Sequence, residues 1–216
     1  MDMELARFNM VEQQIRPCDV RNEDVLRLLR QVGREKFVPE QYKQLAFSDL
    51  EVPLPGIQAM LTPRVEAMLL QELAVDKIDK VLEIGTGSAY VTAILAKLAD
   101  FVYSIEIDEQ NKQLAVKNLT YAGINNVSII NSNGINGLPD KAPFDKIFVG
   151  GGLRTIPETL KSQLRVGGRL VGIIGDSPVL HAVSITRDGE NKFTQKKLFE
   201  TDTTYLINEQ TQQFIF

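Results

Sequence analysis

A chain of 216 residues, 44% hydrophobic and 24% charged, has ordinary globular balance and enough length for a substantial core. Its formal charge of −4 offers no broad electrostatic hold on nucleic acid, and no apolar run approaches the ~18 residues of a membrane span. The N-terminus lacks the apolar core of a secretory signal, and the single cysteine, Cys18, cannot form an internal disulfide, so a cytoplasmic location is expected.

In chain order, "ELARFNMVEQQI" predicts a first helix, with Leu5, Phe8, Met10, Val11 and Ile15 on one side and Pro17 ending it. "NEDVLRLLRQV" predicts a second, capped by Asn22 and stopped by Gly33. "FVPEQYKQLAFSD" predicts a short helix starting near Pro39. The stretch 53–63, "PLPGIQAMLTP", is apolar but too punctuated by proline and glycine for a helix or central strand. Its polar ends are Gln58 and Thr62, and Thr62-Pro63 suits the cap and first turn of a third helix, "PRVEAMLLQEL".

From Lys80 the pattern changes to alternation. Strands are predicted at "KVLEIG", "FVYSIEI", "NVSIIN", "FDKIFVGG" and "GGRLVGIIG", and helices at "AYVTAILAKLA", "EQNKQLAVKNLTYAG" and "PETLKSQLR". The stretch 180–200 predicts two antiparallel strands turning at Asp188-Gly189. Such alternation implies an α/β fold with a mostly parallel sheet flanked by helices and an antiparallel hairpin at one edge. One domain is expected over 1–216, with 1–75 forming an N-terminal helical cap and substrate loop and 76–216 the cofactor-binding core.

"VLEIGTGSAY" carries the most chemistry. A strand runs into a Gly-x-Gly turn and then a helix, the place where open parallel sheets bind ligands. Gly85 and Gly87 leave the backbone bare, and the helix start offers free N–H groups. Glu106 ends the second strand, 21 positions after Gly85, where an acid accepts hydrogen bonds from ribose hydroxyls. That acid suits NAD as well as S-adenosylmethionine. Glu83 inside the first strand, and the lack of a third fingerprint glycine at Ala89-Tyr90, favour S-adenosylmethionine.

Asn133-Gly134 after the third strand reads equally as an adenine contact or a routine turn, and Gly150 to Gly152 as a close approach or a flexible connector. His181 reads as structural and Cys18 as structural or incidental, no zinc set is present, and Ser88 has no histidine to make a hydrolase triad.

"NMVEQQIRP", "VGREKFVPEQY", "LAFSDLEVPLP", "VLEIGTGSAY", "VYSIEID", "PFDKIFV", "IPETLKSQL" and "VGGRLVGIIG" fall in an order that resembles the protein-L-isoaspartate O-methyltransferases, from about Phe8 to Gly175. The resemblance implies a Rossmann-like class I methyltransferase with a seven-stranded sheet, using S-adenosylmethionine to methylate the carboxylate of L-isoaspartyl residues in damaged proteins. It also implies a peptide or protein partner; a monomer is expected, and composition points to neither metal, nucleic acid nor membrane.

On that resemblance, Glu83, Gly85, Thr86, Gly87 and Ser88 surround the methionine part, Glu106 holds the ribose, and Asn133 and Gly134 flank the adenine. The family's substrate loop reads Gly-Gln-Thr-Ile-Ser-x-Pro, and its serine is catalytic. Here the same positions read Gln58, Ala59, Met60, Leu61, Thr62 and Pro63, so leucine stands where the serine is expected. Gln58 and Thr62 are therefore the expected catalytic-site residues. The alternatives are a methyltransferase for another small acceptor and a cofactor-binding homologue without repair activity. The end of the chain, "INEQTQQFIF", departs from the family pattern.

Overall fold

Asp2 starts the first helix, α1 (Met3–Asn9), by accepting from the N–H groups of Glu4 and Leu5. The computed structural model describes residues 2–207; the unfamiliar tail from 208 onward lies outside them. α1 runs into a π-helical turn (Met10–Ile15) and then a 3-10 turn (Arg16–Cys18). This corrects two expectations. The wider π turn rotates the face, so Met10, Val11 and Ile15 are buried while Leu5 and Phe8 stay exposed at 56% and 52%. Pro17 sits inside the 3-10 turn, and Asp19, at a φ of 64°, ends it.

α2 (Glu23–Gln31) is capped by Asn22, as expected. The short helix after Pro39 is a 3-10 turn, Glu40–Leu45. The punctuated stretch folds as a small hairpin: β1 (Val52–Pro53) pairs antiparallel with β2 (Ala59–Met60), leaving 54–58 as its tip. α3 (Pro63–Leu73) follows, with the Thr62 hydroxyl accepting from the Val65 N–H.

The alternating part contains β3 (Lys80–Ile84), α4 (Tyr90–Leu98), β4 (Phe101–Glu106), α5 (Glu109–Tyr121), β5 (Val127–Asn131), β6 (Phe144–Leu153), α6 (Glu158–Ser162), β7 (Leu164–Asp176), β8 (Val179–Gly189) and β9 (Lys192–Thr201). Seven strands lie in the order β5-β4-β3-β6-β7-β8-β9. The first five are mutually parallel, and β8 and β9 add an antiparallel edge. α6 is shorter than expected because the chain enters β7 at Leu164, opposite Phe144. The hairpin tip also differs: Gly189 still pairs with Lys192, so the turn is Glu190-Asn191, two residues beyond Asp188-Gly189.

Alternation along the strands separates two cores. Val81, Val102, Phe148 and Val171 face α4, α5 and the N-terminal helices. Leu82, Ile84, Ile105 and Val149 face α6 and the turns beside it. The chain moves outward from β3 through β4 to β5, then returns to the other side of β3 as β6. The carboxyl ends of β3 and β6 therefore flank a topological switch, where a crevice opens.

Candidate functional site

Two hollows open at that switch, and they share Leu54, Ala59, Gly85, Gly87 and Gly150. They enclose about 520 and 340 Å3, counting space open to solvent. The first reaches Glu106, Asn133 and Gly134. The second reaches Glu66, Glu83, Thr86, Ser88, Tyr90 and Phe148. Of the expected catalytic-site and cofactor-binding residues, Thr62 alone borders neither. Its hydroxyl is used at the start of α3.

Glu83 and Ser104 are register partners on adjacent parallel strands and face α4 together. Glu83 Oε2 accepts from the hydroxyls of Thr92 and Ser104, each at 2.6 Å, and Ser104 Oγ lies 2.6 Å from Thr86 Oγ1. Burial pushes the Glu83 carboxyl up to about 7; the two hydroxyls oppose that shift and the nearby Glu106 charge adds to it. Glu106 is also buried, and burial raises its pKa. It accepts from the Gly87 N–H at 2.8 Å and the Asp108 N–H at 3.0 Å, which lower it. The carboxylate is thus fixed at the mouth of the first hollow.

The glycines have packing roles that the sequence did not specify. A Cβ on Gly87 would come within 3.0 Å of Leu54 Cδ1, and one on Gly85 within 2.9 Å of Leu206 Cδ2. The two bare faces of the turn are covered by one leucine from the hairpin and one from the segment after β9. A Cβ on Gly150 would meet Gly85 O at 2.9 Å, so the glycine run at the end of β6 is a close backbone approach rather than a loose connector. Asn133 Oδ1 accepts from the Ile135 N–H, leaving its amide nitrogen without a protein partner among the described residues.

A buried ion pair anchors the hairpin. Arg34 donates to Glu66 Oε2 at 3.0 Å, to Ala46 O at 2.9 Å and to Leu61 O at 2.6 Å, and its guanidinium lies 5.5 Å from the Tyr90 ring centroid. Burial raises the pKa of Glu66, against the pull of Arg34. Tyr90 borders the second hollow, and its buried hydroxyl has no partner among the described residues. Sequence reasoning missed these three residues. Glu66 was detectable as an acid on the apolar face of α3, beside Val65, Leu69 and Leu70; Arg34 left no such signal.

The Gln58 side chain borders the first hollow and donates from Nε2 to Tyr205 O at 3.2 Å. Chemically, the first hollow offers a fixed carboxylate and an amide nitrogen around apolar walls. The second joins two carboxylates, Glu66 (paired with Arg34) and Glu83, to the apolar side chains of Leu54, Met60, Leu61 and Phe148, with no cationic side chain lining it among the described residues. Ser88 Oγ has no hydrogen bond among the described residues and borders this second hollow.

A family model described as Protein-L-isoaspartate(D-aspartate) O-methyltransferase matches residues 6–210. A protein-L-isoaspartate O-methyltransferase 2 of Pelobacter propionicus is 36% identical over 198 residues, covering 91% of this chain and 88% of its own. A protein-L-isoaspartate O-methyltransferase of Opitutus terrae is 40% identical over 169 residues, covering 78% and 72%. Among solved structures, a candidate protein-L-isoaspartate O-methyltransferase of Plasmodium falciparum, in complex with S-adenosyl-L-homocysteine, has a TM-score of 0.80 and 20% identity. It covers 96% of this chain and 99% of its own, a likeness of fold alone.

Proposed function

The chain belongs to the protein-L-isoaspartate(D-aspartate) O-methyltransferase family, and from that premise we propose that it methylates the side carboxylate of L-isoaspartyl residues in damaged proteins, using S-adenosylmethionine. The observation that carries the reading is the first hollow, where Glu106, the glycine turn after β3 and the Asn133-Gly134 turn meet beneath the hairpin.

These residues fit the cofactor. Glu106 is held by two N–H groups, in position to accept from a ribose diol. The free amide nitrogen of Asn133 suits an acceptor on the adenine edge, and Gly134 keeps that wall flat. Glu83, Thr86 and Ser88 border the second hollow, where the methionine part would lie, and Gly85 and Gly87 border both. Bound there, S-adenosylmethionine supplies a methyl group activated by its sulfonium.

The protein's own task is then spare. An acceptor carboxylate is ionised at neutral pH, so no general base is required. Leu54, Met60 and Leu61 exclude water, and the hairpin aligns the acceptor. Of the two expected catalytic-site residues, we retain Gln58 for acceptor orientation; Thr62 serves the helix start. The single cysteine supports the cytoplasm.

The second hollow favours a second reading of the acceptor. The apolar run Ala59, Met60 and Leu61 gives it a greasier wall than a peptide site needs, so a small acceptor fits it as well. A methyl-transfer assay on an isoaspartyl peptide with radiolabelled S-adenosylmethionine separates the two. We expect slow esterification by the natural chain, and a gain of about tenfold or more in Leu61→Ser, the worth of one hydrogen bond to a charged group. Cofactor binding with no peptide esterification by either chain would reject the repair reading and leave the small acceptor.

A further inference from the structure

Two segments cover the first hollow, the hairpin and a strap formed by residues 203–207, and Glu51 joins them. Glu51 immediately precedes β1. Its Oε1 accepts from the Thr203 hydroxyl and from the Thr204 N–H at 3.2 Å, and its Oε2 accepts from the Thr204 hydroxyl at 2.8 Å. At the far end of the hairpin, Gln58 Nε2 donates to Tyr205 O. The strap is pinned on the end of β6: Gly152 N–H donates to Thr204 O at 3.0 Å, and Leu206 N–H to Gly152 O at 2.9 Å. The Tyr205 hydroxyl donates to Gly175 O and accepts from the Ser177 N–H, both at 2.8 Å. Leu206 then lies in a slot made by two missing side chains, since a Cβ on Gly85 or Gly151 would approach its Cδ2 to 2.9 or 2.8 Å. Leu206 and Ile207 form one wall of the hollow.

We propose that Glu51 is a positioning residue for the cofactor: it holds the strap in place as the wall of the first hollow and couples that wall to the hairpin. The proposal rests on the cofactor reading above. Glu51 has no ion-pair partner among the described residues, so its charge is directed to the three donors of the strap. Charge-assisted hydrogen bonds of this kind are the stronger ones. Losing them frees the wall while Leu61 and the carboxylates of the second hollow are untouched and Gln58 keeps its own bond to Tyr205 O. The effect therefore falls on cofactor retention more than on the transfer step.

Glu51→Gln tests it, because the shape stays and the charge goes. Affinity for S-adenosylhomocysteine, measured by calorimetry, should fall about tenfold, the worth of one charge-assisted hydrogen bond. The kcat at saturating cofactor should stay within about twofold, since the altered contact does not change between ground and transition state. Hydrogen exchange at the Gly152 and Leu206 amides should accelerate. Thr204→Val should weaken binding alike and add little to Glu51→Gln, and it probes the contact from the strap side if Glu51→Gln folds poorly. Unchanged amide exchange, or faster exchange with unchanged affinity, overturns the proposal. Failure of the unaltered chain to bind S-adenosylhomocysteine overturns the cofactor reading and this role together. Exchange in Glu51→Gln still shows whether the contact holds the strap, so the two failures are told apart.

Discussion

Glu83 occupies a place where a central strand ordinarily carries an apolar side chain, and its carboxyl is buried between two hydroxyls. Its pKa of about 7 in the folded chain lies above the ordinary 4.5. An acid raised by folding favours the folded state below its ordinary pKa, and that contribution is lost as the pH rises through the folded value. From about pH 4.5 to 7 the loss amounts to about 3 kcal/mol. Glu83→Gln stays neutral throughout, so the stability difference between the two ligand-free chains should shift against the natural one over this range. Urea midpoints at pH 5 and 8 check this; parallel pH dependence in both chains would refute it. The acid in the strand was visible in the sequence. Its partners were not, because Thr92 and Ser104 meet it only through helix packing and strand register. Leu61 is similar: the missing hydroxyl could be read directly, whereas the bond from Arg34 to its carbonyl depends on the fold.

The turn after β5 shows what a glycine there is for. A Cβ on Gly134 would fall 2.7 Å from Ile84 Cγ2, and no left-handed φ is involved. Gly134→Ala should therefore cost about 1–3 kcal/mol through overpacking and should also weaken S-adenosylhomocysteine binding, because Ile84 lines the same hollow. Thermal unfolding and calorimetry on one variant check both; unchanged values in each would show that Ile84 simply moves aside. Elements with strong periodicity, such as the seven strands, could be read from sequence. The π turn could not, because its apolar residues also fit a regular helix. The hairpin tip was misplaced because Asp188-Gly189 is a good turn dipeptide overruled by pairing out to Gly189.

Across the whole molecule, the N-terminal 75 residues and the α/β part share one apolar cluster: Met10, Leu26, Leu29 and Leu70 join it with Ala93, Ile94 and Val171. We infer that they form one cooperative unit. Calorimetric and van't Hoff enthalpies should agree, and loss of near-ultraviolet tyrosine dichroism should coincide with loss of helix; two separated transitions would contradict this. The division at about residue 75 was legible as a change of pattern, but shared packing across it leaves no trace in periodicity. The strap has a consequence of another kind. It follows all seven strands in chain order, yet it returns to β6, in the middle of the sheet. During synthesis every strand can emerge and pair before Leu206 does. The hollow is thus walled by a segment that follows the whole sheet in chain order, so a nascent chain can hold its paired strands while still lacking that wall.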